Sequence, residues 1–187
     1  MQRIQAIDPA LATGQVKQLL DGVNKKLGMT PNMMRTMAAS PAVLSGYLGL
    51  AGTLSSGLLP AQVRERLALA VGEANRCGYC LSAHTALGSL AGLSQEEIET
   101  ARQAKSGDAK IQAALQFAQA LVVQKGEVSG EQVWAVREAG WGEGEVAEIV
   151  AHVALNVFTN YFNLVAQTEI DFPVVTPGEL ALVHSYA

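Results

Sequence analysis

The sequence predicts an all-α protein that forms a single domain over residues 1–187. Apolar residues recur three and four positions apart along nearly the whole chain, and the two-residue alternation of strands is rare. Proline and glycine fall between these periodic stretches, where they begin and end helices. A chain of 187 residues can also bury a core without help from metals or disulfides. We therefore expect a helical bundle that is stabilised by packing.

The first helices are delimited by proline and glycine. An apolar stripe at Val16, Leu19, Leu20 and Val23 predicts a helix that ends near Gly28. Pro31 and Pro41 each begin a further helix, because proline at the first helical position gives up an amide hydrogen that has no partner there. Pro60 begins a fourth helix, which runs to about Asn75 and Arg76.

A break is expected after Arg76, because Gly78 is unfavourable inside a helix. We place Cys77 at the cap of a new helix, which runs from about residue 78 to 91 and is closed by Gly92. Ser94 with Glu97 three residues later predicts a capping box and another helix. The remaining helices are predicted to begin at Asp108, Ser129 and Glu143, and the last runs to about Gln167, where Asp171-Phe172-Pro173 is expected to end it. Residues 174–187 are expected to form a C-terminal arm.

Composition and charge exclude several classes of function. The net charge is −4 and the 13 basic residues are scattered, so no surface for nucleic acid is expected. No signal peptide and no stretch of about 18 uninterrupted apolar residues is present, so we expect a cytoplasmic protein without a membrane partner. Because 49% of the residues are hydrophobic and only 16% charged, part of the apolar surface is expected to form a homo-oligomer interface.

A weak internal similarity relates the segment from Glu65 to the segment from Glu148. Laid together without gaps, the two segments pair Cys77 with Asn160, Cys80 with Asn163, and His84 with Gln167. Such matches arise easily in alanine-rich helices, so the similarity indicates either a duplicated helical hairpin or a chance match of helical patterns. Under that interpretation only the first copy keeps reactive side chains, and we expect activity in the first half alone.

The main chemical signal is the run Cys77-Gly78-Tyr79-Cys80 followed by His84. Residues three and four apart on a helix lie on one face, about 5 to 6 Å apart at Cβ, so both thiols and the imidazole can form one site. The amide hydrogens and positive dipole at a helix N-terminus favour a thiolate. A histidine near neutrality can take the thiol proton if another group orients its ring.

Glu65 is the expected orienting group. A helical hairpin that turns near Asn75 and Arg76 could bring its carboxylate against His84. Glu73 is the competing carboxylate, but it lies close to the turn, where we expect it to be solvated. Arg64 and Arg66 could instead hold Glu65 in a surface salt bridge.

The same cysteines have structural and metal-binding interpretations. A disulfide between Cys77 and Cys80 would close a very short loop and add little stability. A closed zinc site needs four ligands, and beyond Cys77, Cys80 and His84 only carboxylates and the distant His152 and His184 remain. We expect His152 to pack or hydrogen-bond in the core and His184 to be solvated. Met29, Met33, Met34 and Met37 are interpreted as adaptable packing beneath the thiols or at an interface.

The stretch from Arg64 to His84 resembles the core motif of the alkylhydroperoxidase D-like branch of the carboxymuconolactone decarboxylase family. That motif is a glutamate, a CxxC that begins twelve positions later, and a histidine four positions after the second cysteine. Glu65, Cys77, Cys80 and His84 match all four positions. Alkylhydroperoxidase D itself has a histidine between the cysteines, where this chain has Tyr79.

The resemblance implies an all-helical fold, often assembled as a trimer or hexamer, and a peroxidase that needs no cofactor. It implies that Cys80 becomes a sulfenic acid and that Cys77 resolves it to a disulfide, with Glu65 and His84 as a proton relay. Tyr79 is included as a supporting residue. The expected partners are a peroxide and an external dithiol, either a small thiol or a lipoyl- or thioredoxin-type protein.

Two other functions stay open at this point. One is a lyase of the decarboxylase branch, although that chemistry does not require a CxxC. The other is a redox-responsive stress or interaction protein, in which the disulfide changes a helical interface without turnover.

Overall fold

The all-α prediction is confirmed by a computed structural model, which describes residues 2–179. Within this range the chain forms helices and connecting turns, with no strand. The helices are α1 (Gly14–Leu27), α2 (Asn32–Met37), α3 (Pro41–Ser55), α4 (Ala61–Ala74), α5 (Gly78–Leu90), α6 (Gln95–Arg102), α7 (Ala109–Val123), α8 (Gly130–Glu138) and α9 (Glu143–Ala166).

The helix ends follow the local signals in the sequence. Gly28 closes α1 in the left-handed conformation, with φ of 74°. Ser94 and Glu97 form the predicted capping box of α6, and Cys77 is the N-cap of α5. Helix α9 ends at Ala166, next to the predicted end at Gln167, because Gln167 adopts a left-handed conformation with φ of 51°. The helix therefore ends several residues before Pro173. The prediction that Asp171-Phe172-Pro173 ends the helix is wrong.

Helix α4 lies at the centre of the fold and packs against α5, α6, α7 and α9. One core cluster joins α4 with the later helices, and its fully buried members include Leu67, Leu115 and Ile149. A second cluster joins α1, α2 and α3 with the start of α5. Both cysteines belong to this second cluster, together with Met33, Met34 and Met37, so these three methionines pack in the same core as the thiols, whereas Met29 is exposed.

Helix α9 is the one described helix that is long and apolar enough to cross a membrane by length and composition alone. Half of the most apolar 18-residue stretch of α9 is buried within the fold, as is also the case for core helices of globular domains. Its inward face contacts α3, α4, α5 and α7. This helix therefore completes one wall of the region around the cysteines.

The segment after α9 covers the start of α5. The backbone amide of Val175 donates to Ser82 Oγ over 2.9 Å, and Arg102 donates to the carbonyls of Thr176 and Glu179 over 2.9 and 2.8 Å. The part of the predicted arm up to Glu179 is thus anchored to the domain. The rest of that arm, with His184, lies outside the described residues.

Candidate active site

The turn between α4 and α5 places both thiols at a helix N-terminus. Arg76 adopts a left-handed conformation with φ of 53°, and the chain then enters α5 at its N-cap, Cys77. The backbone amide of Cys80 donates to Cys77 Sγ over 3.4 Å. Cys77 is 1% exposed and Cys80 is 2% exposed, and both are free thiols. The site therefore holds two buried cysteines in contact at the positive end of a helix.

The two thiols differ in acidity. A hydrogen bond from the Cys77 thiol is the largest influence on Cys80, and it lowers the pKa of Cys80 to about 6 against the opposing effect of burial. The charge of His84 and the side chains of Asn163 and Asn160 lower it further. The same thiol–thiol hydrogen bond, followed by burial, raises the pKa of Cys77. Cys80 is thus the thiolate near neutral pH, and Cys77 is its protonated partner.

Glu65 holds His84 in place, as the sequence predicts. Glu65 Oε2 and His84 Nδ1 are 2.7 Å apart, and both side chains are mostly buried. Burial opposes the charged imidazole, but the charge and hydrogen bond of Glu65, with the charge of Cys80, outweigh it and raise the pKa of His84. His84 is therefore set up to carry a proton beside a thiolate.

The competing arrangements around Glu65 do not form. Glu73 is not solvated as expected: its Oε2 accepts from Arg102 Nε over 2.8 Å, and it holds the C-terminal segment by accepting from the amide of Gly178. Arg66 pairs with Glu97, and Arg64 donates to the carbonyl of Leu59 over 2.6 Å. Neither arginine forms a salt bridge with Glu65 in the described part of the chain.

Tyr79 lies between the cysteines in sequence, but its hydroxyl is engaged elsewhere. It donates to Asp171 Oδ1 over 2.8 Å and accepts from the amide of Met33 over 3.1 Å. Asp171 in turn accepts from the amide of Asn32 over 2.7 Å. Burial, the largest effect, raises the pKa of Tyr79, so the phenol stays protonated. Tyr79 therefore ties the start of α5 to α2 and to the segment after α9.

A cavity of about 550 Å³ gives access to Cys80. Glu65, Cys80 and His84 all line it, whereas Cys77 does not. Leu27, Met29 and Leu90 also line it and have exposed side chains, so the cavity opens to the surface at that end. A ligand that enters would meet the Cys80 thiolate first, with Cys77 behind it.

Sequence reasoning missed three residues of this site. Tyr47 on α3 lines the cavity, and burial together with the charges of Cys80 and Glu65 raises its pKa to about 12. His152 on α9 is buried, as predicted, but it also lines the same cavity. Asn163 Nδ2 donates to Cys80 Sγ over 3.4 Å. Their positions depend on how distant helices pack, and no local pattern indicates that.

Asn160 and Asn163 give the weak internal similarity a spatial meaning. They are the residues that align with Cys77 and Cys80, and in the fold both contribute to lowering the pKa of Cys80. Asn160 Oδ1 also accepts from Asn75 Nδ2 over 2.9 Å, at the turn before Cys77. The second segment therefore contributes directly to the environment of the thiols. Duplication as the origin of the similarity stays a prediction.

The described residues contain no group of three or more His, Cys, Asp or Glu side chains arranged to hold a metal ion. His152 is on a different helix from the cysteines. The charges that act on its imidazole are those of Arg64, Glu148 and Glu65. The donor set at the cysteines thus consists of two hydrogen-bonded thiols and an imidazole already engaged by Glu65.

This helical arrangement is the fold of the alkylhydroperoxidase AhpD core. Residues 41–121 match the carboxymuconolactone decarboxylase family. The matched region runs from the start of α3 to the end of α7 and includes Glu65, Cys77, Cys80 and His84.

A curated relative is an alkyl hydroperoxide reductase of Mycobacterium tuberculosis, which is 28% identical over 93 residues. The match covers 49% of this chain and 27% of that protein, so the chain corresponds to about a quarter of its length.

Solved structures with the same fold cover nearly the whole chain. An alkylhydroperoxidase AhpD core, a peroxidase-related protein from Ralstonia eutropha JMP134, is 23% identical with a TM-score of 0.82, over 91% of this chain and 92% of that one. A peroxidase-related protein from Silicibacter sp. TM1040 is 21% identical with a TM-score of 0.77, over 90% and 92%. The debrominase Bmp8, in a cysteine-to-alanine variant bound to 2,3,4-tribromopyrrole, is 21% identical with a TM-score of 0.77, over 90% and 91%. At these identities the likeness establishes the fold.

Proposed function

We propose that this protein is a thiol-dependent peroxidase that reduces hydrogen peroxide or organic hydroperoxides through a cycle of Cys77 and Cys80. The observation that carries the proposal is the asymmetry of the two thiols. Cys80 has a pKa lowered to about 6 and lines the cavity, whereas Cys77 lies behind it with a raised pKa. A peroxide is reduced by a thiolate, and a second thiol nearby can then resolve the product.

In the first step, the Cys80 thiolate attacks the terminal oxygen of the peroxide R–O–O–H, and the O–O bond breaks. The terminal oxygen keeps its hydrogen and stays on sulfur as a sulfenic acid. The other oxygen leaves with the bonding electrons and takes a proton from His84, giving an alcohol or, from hydrogen peroxide, water. Glu65 stabilises the charged imidazole that supplies this proton.

In the second step, Cys77 attacks the sulfenic sulfur and displaces its oxygen as water, with the Cys77 proton supplied to the leaving oxygen. Cys77 and Cys80 are then joined in a disulfide, and together they have given two electrons to the peroxide. An external dithiol returns these electrons by thiol–disulfide exchange and releases both thiols. We propose a small dithiol, or a lipoyl- or thioredoxin-type protein, in this role.

The similarity to an alkyl hydroperoxide reductase and to peroxidase-related structures supports a peroxidase over the lyase. The debrominase with the same fold indicates that relatives differ in chemistry, so turnover of peroxide has to be measured. We also propose that the protein works in the cytoplasm and as a homo-oligomer, in keeping with its composition.

The test is steady-state consumption of cumene hydroperoxide and hydrogen peroxide with dithiothreitol, by wild type, Cys80→Ser and Cys77→Ser. We expect repeated turnover by wild type and none by Cys80→Ser. Without dithiothreitol, Cys77→Ser should consume about one equivalent and give a dimedone adduct at Cys80, because its sulfenic acid has no resolving thiol. A single oxidation without turnover in the wild type would instead favour the redox-responsive protein, and unchanged turnover by Cys80→Ser would overturn the proposal.

A further inference from the structure

The cavity beside Cys80 is much larger than hydrogen peroxide requires. Its volume is about 550 Å³, whereas a water molecule in the liquid occupies roughly 30 Å³. Pockets of roughly 300 to 1,000 Å³ are typical of sites that bind organic molecules. Its lining is mainly apolar and includes Leu27, Met33, Met34, Ala51, Leu87, Leu155 and Phe172. These walls suit a bulky hydrocarbon group.

His152 supplies a polar group in this cavity that the proposed cycle does not use. The residue is 5% exposed, and its Nε2 is buried without a hydrogen-bond partner in the described part of the chain. A buried polar atom without a partner is costly, because folding removes the water that would otherwise satisfy it. A ligand that hydrogen-bonds to Nε2 would remove that cost.

The surroundings of His152 keep its ring neutral. Burial and the nearby charge of Arg64 lower its pKa, and they outweigh Glu148, Glu65 and the backbone carbonyl of Leu54, which raise it. A neutral imidazole has one ring nitrogen that carries the hydrogen and one that accepts a hydrogen bond. Nε2 has no hydrogen-bond partner in the described part of the chain, so it is free to be the accepting nitrogen.

The cavity therefore has two histidines prepared for opposite tasks. His84 is held by Glu65 and its pKa is raised, so it can give up a proton. His152 is neutral and presents an acceptor. Glu65 raises the pKa of both rings by its charge. Pairs of titratable groups with opposite shifts are typical of sites that separate acid and base roles.

We propose that His152 is a positioning residue, which accepts a hydrogen bond from the terminal O–H of a bulky organic hydroperoxide whose hydrocarbon group fills the apolar cavity. This inference rests on the proposed peroxidase function. With its O–H held by Nε2, the terminal oxygen is the one presented to the Cys80 thiolate. The O–O bond then breaks as described above, the hydrogen stays on the oxygen that forms the sulfenic acid, and the alkoxide leaves with a proton from His84.

The test uses a ligand that cannot oxidise the protein. 2-Phenyl-2-propanol has the O–H donor and the shape of the alcohol product from cumene hydroperoxide, and its methyl ether lacks the donor. We expect reduced His152→Leu to bind the alcohol about 3- to 10-fold more weakly than wild type, the effect of one hydrogen bond. Ether binding should change less than twofold, and His152→Gln, which keeps an acceptor, should recover part of the alcohol affinity.

Equal affinity of wild type and His152→Leu for the alcohol would overturn the inference. Equal losses for alcohol and ether would also overturn it, because they would show a packing role. A measurement on wild type avoids dependence on the fold of a variant: the alcohol should shift the ¹⁵N signal of the unprotonated His152 nitrogen, and the ether should not. An unchanged signal with saturating alcohol would contradict the inference.

Kinetics then separate positioning from chemistry. For cumene hydroperoxide, His152→Leu should raise KM more than it lowers kcat, and the alkylation pH profile of Cys80 should stay unchanged. A shifted alkylation profile would contradict the positioning role. These results are distinguishable from failure of the peroxidase proposal, because alcohol binding needs no turnover. His152-dependent binding without peroxide consumption would leave the ligand site in place and refute the peroxidase.

Discussion

The acidity of Cys80 depends mainly on Cys77, and replacing Cys77 tests that dependence directly. The Cys77 thiol donates the hydrogen bond that has the largest effect on Cys80. Cys77→Ala removes this donor, whereas Cys77→Ser keeps an O–H in nearly the same place. Each variant contains one cysteine, so any alkylation reports Cys80 alone.

The size of the effect follows from the hydrogen bond. A hydrogen bond to a charged group contributes roughly 1.5 to 3 kcal/mol, and one pKa unit corresponds to about 1.36 kcal/mol. Losing the donor should therefore raise the pKa of Cys80 from about 6 by about 1 to 2 units. At pH 7 the thiolate fraction would fall from about 0.9 to between about 0.5 and 0.1, since that fraction depends only on pKa and pH.

The assay is the rate of iodoacetamide alkylation between pH 4.5 and 9.5. We expect a midpoint near pH 6 for Cys77→Ser and a midpoint about 1 to 2 units higher for Cys77→Ala. The midpoint is more informative than the rate at one pH, because a thiolate of higher pKa is intrinsically more nucleophilic. Alanine also removes the N-cap of α5, at a cost of about 1 kcal/mol, so thermal unfolding is measured in parallel. Equal midpoints in the two variants would refute the role assigned to the Cys77 thiol.

Three further predictions concern the groups around the thiols. Glu65→Gln should lower kcat/KM by about 10²- to 10⁴-fold, because His84 loses the charge that raises its pKa. A rate of peroxide consumption near that of wild type would show that the proton relay does not use Glu65. Tyr79→Phe should reduce the free energy of unfolding by about 1 to 3 kcal/mol, because it leaves the buried amide of Met33 without its acceptor and removes a donor to Asp171, while kcat stays within about twofold. A large loss of kcat in stable protein would mean that the phenol takes part in the chemistry. Asn163→Leu removes a hydrogen-bond donor to Cys80 and should raise the alkylation midpoint of Cys80 by up to about 1 pH unit. An unchanged midpoint would mean that Asn163 contributes only packing.

The sequence predicts those parts of the site that depend on local geometry. Cys77, Cys80 and His84 share a face because they are three and four residues apart on one helix. Glu65 meets His84 because a short turn folds α4 back on α5. In each case the spacing along the chain nearly fixes the distance in space.

The rest of the site depends on contacts between distant helices. Tyr47 and His152 reach the cavity from α3 and α9, and their neighbours in sequence give no sign of it. The hydroxyl of Tyr79 is directed by Asp171, which is 92 positions away in the chain. Asn163 could be aligned with Cys80 from sequence, but the alignment does not show that the two side chains touch. Tertiary packing decides these positions.

The central claim is that Cys77 and Cys80 pass together from two thiols to one disulfide when a peroxide is reduced. Titration of thiols in reduced protein, before and after one equivalent of cumene hydroperoxide, tests it most directly, with mass spectrometry to locate the product. We expect two thiols to disappear, a Cys77–Cys80 disulfide to form within the subunit, and dithiothreitol to restore both thiols. Two free thiols after exposure to peroxide, or loss of thiols without this disulfide, would contradict the account.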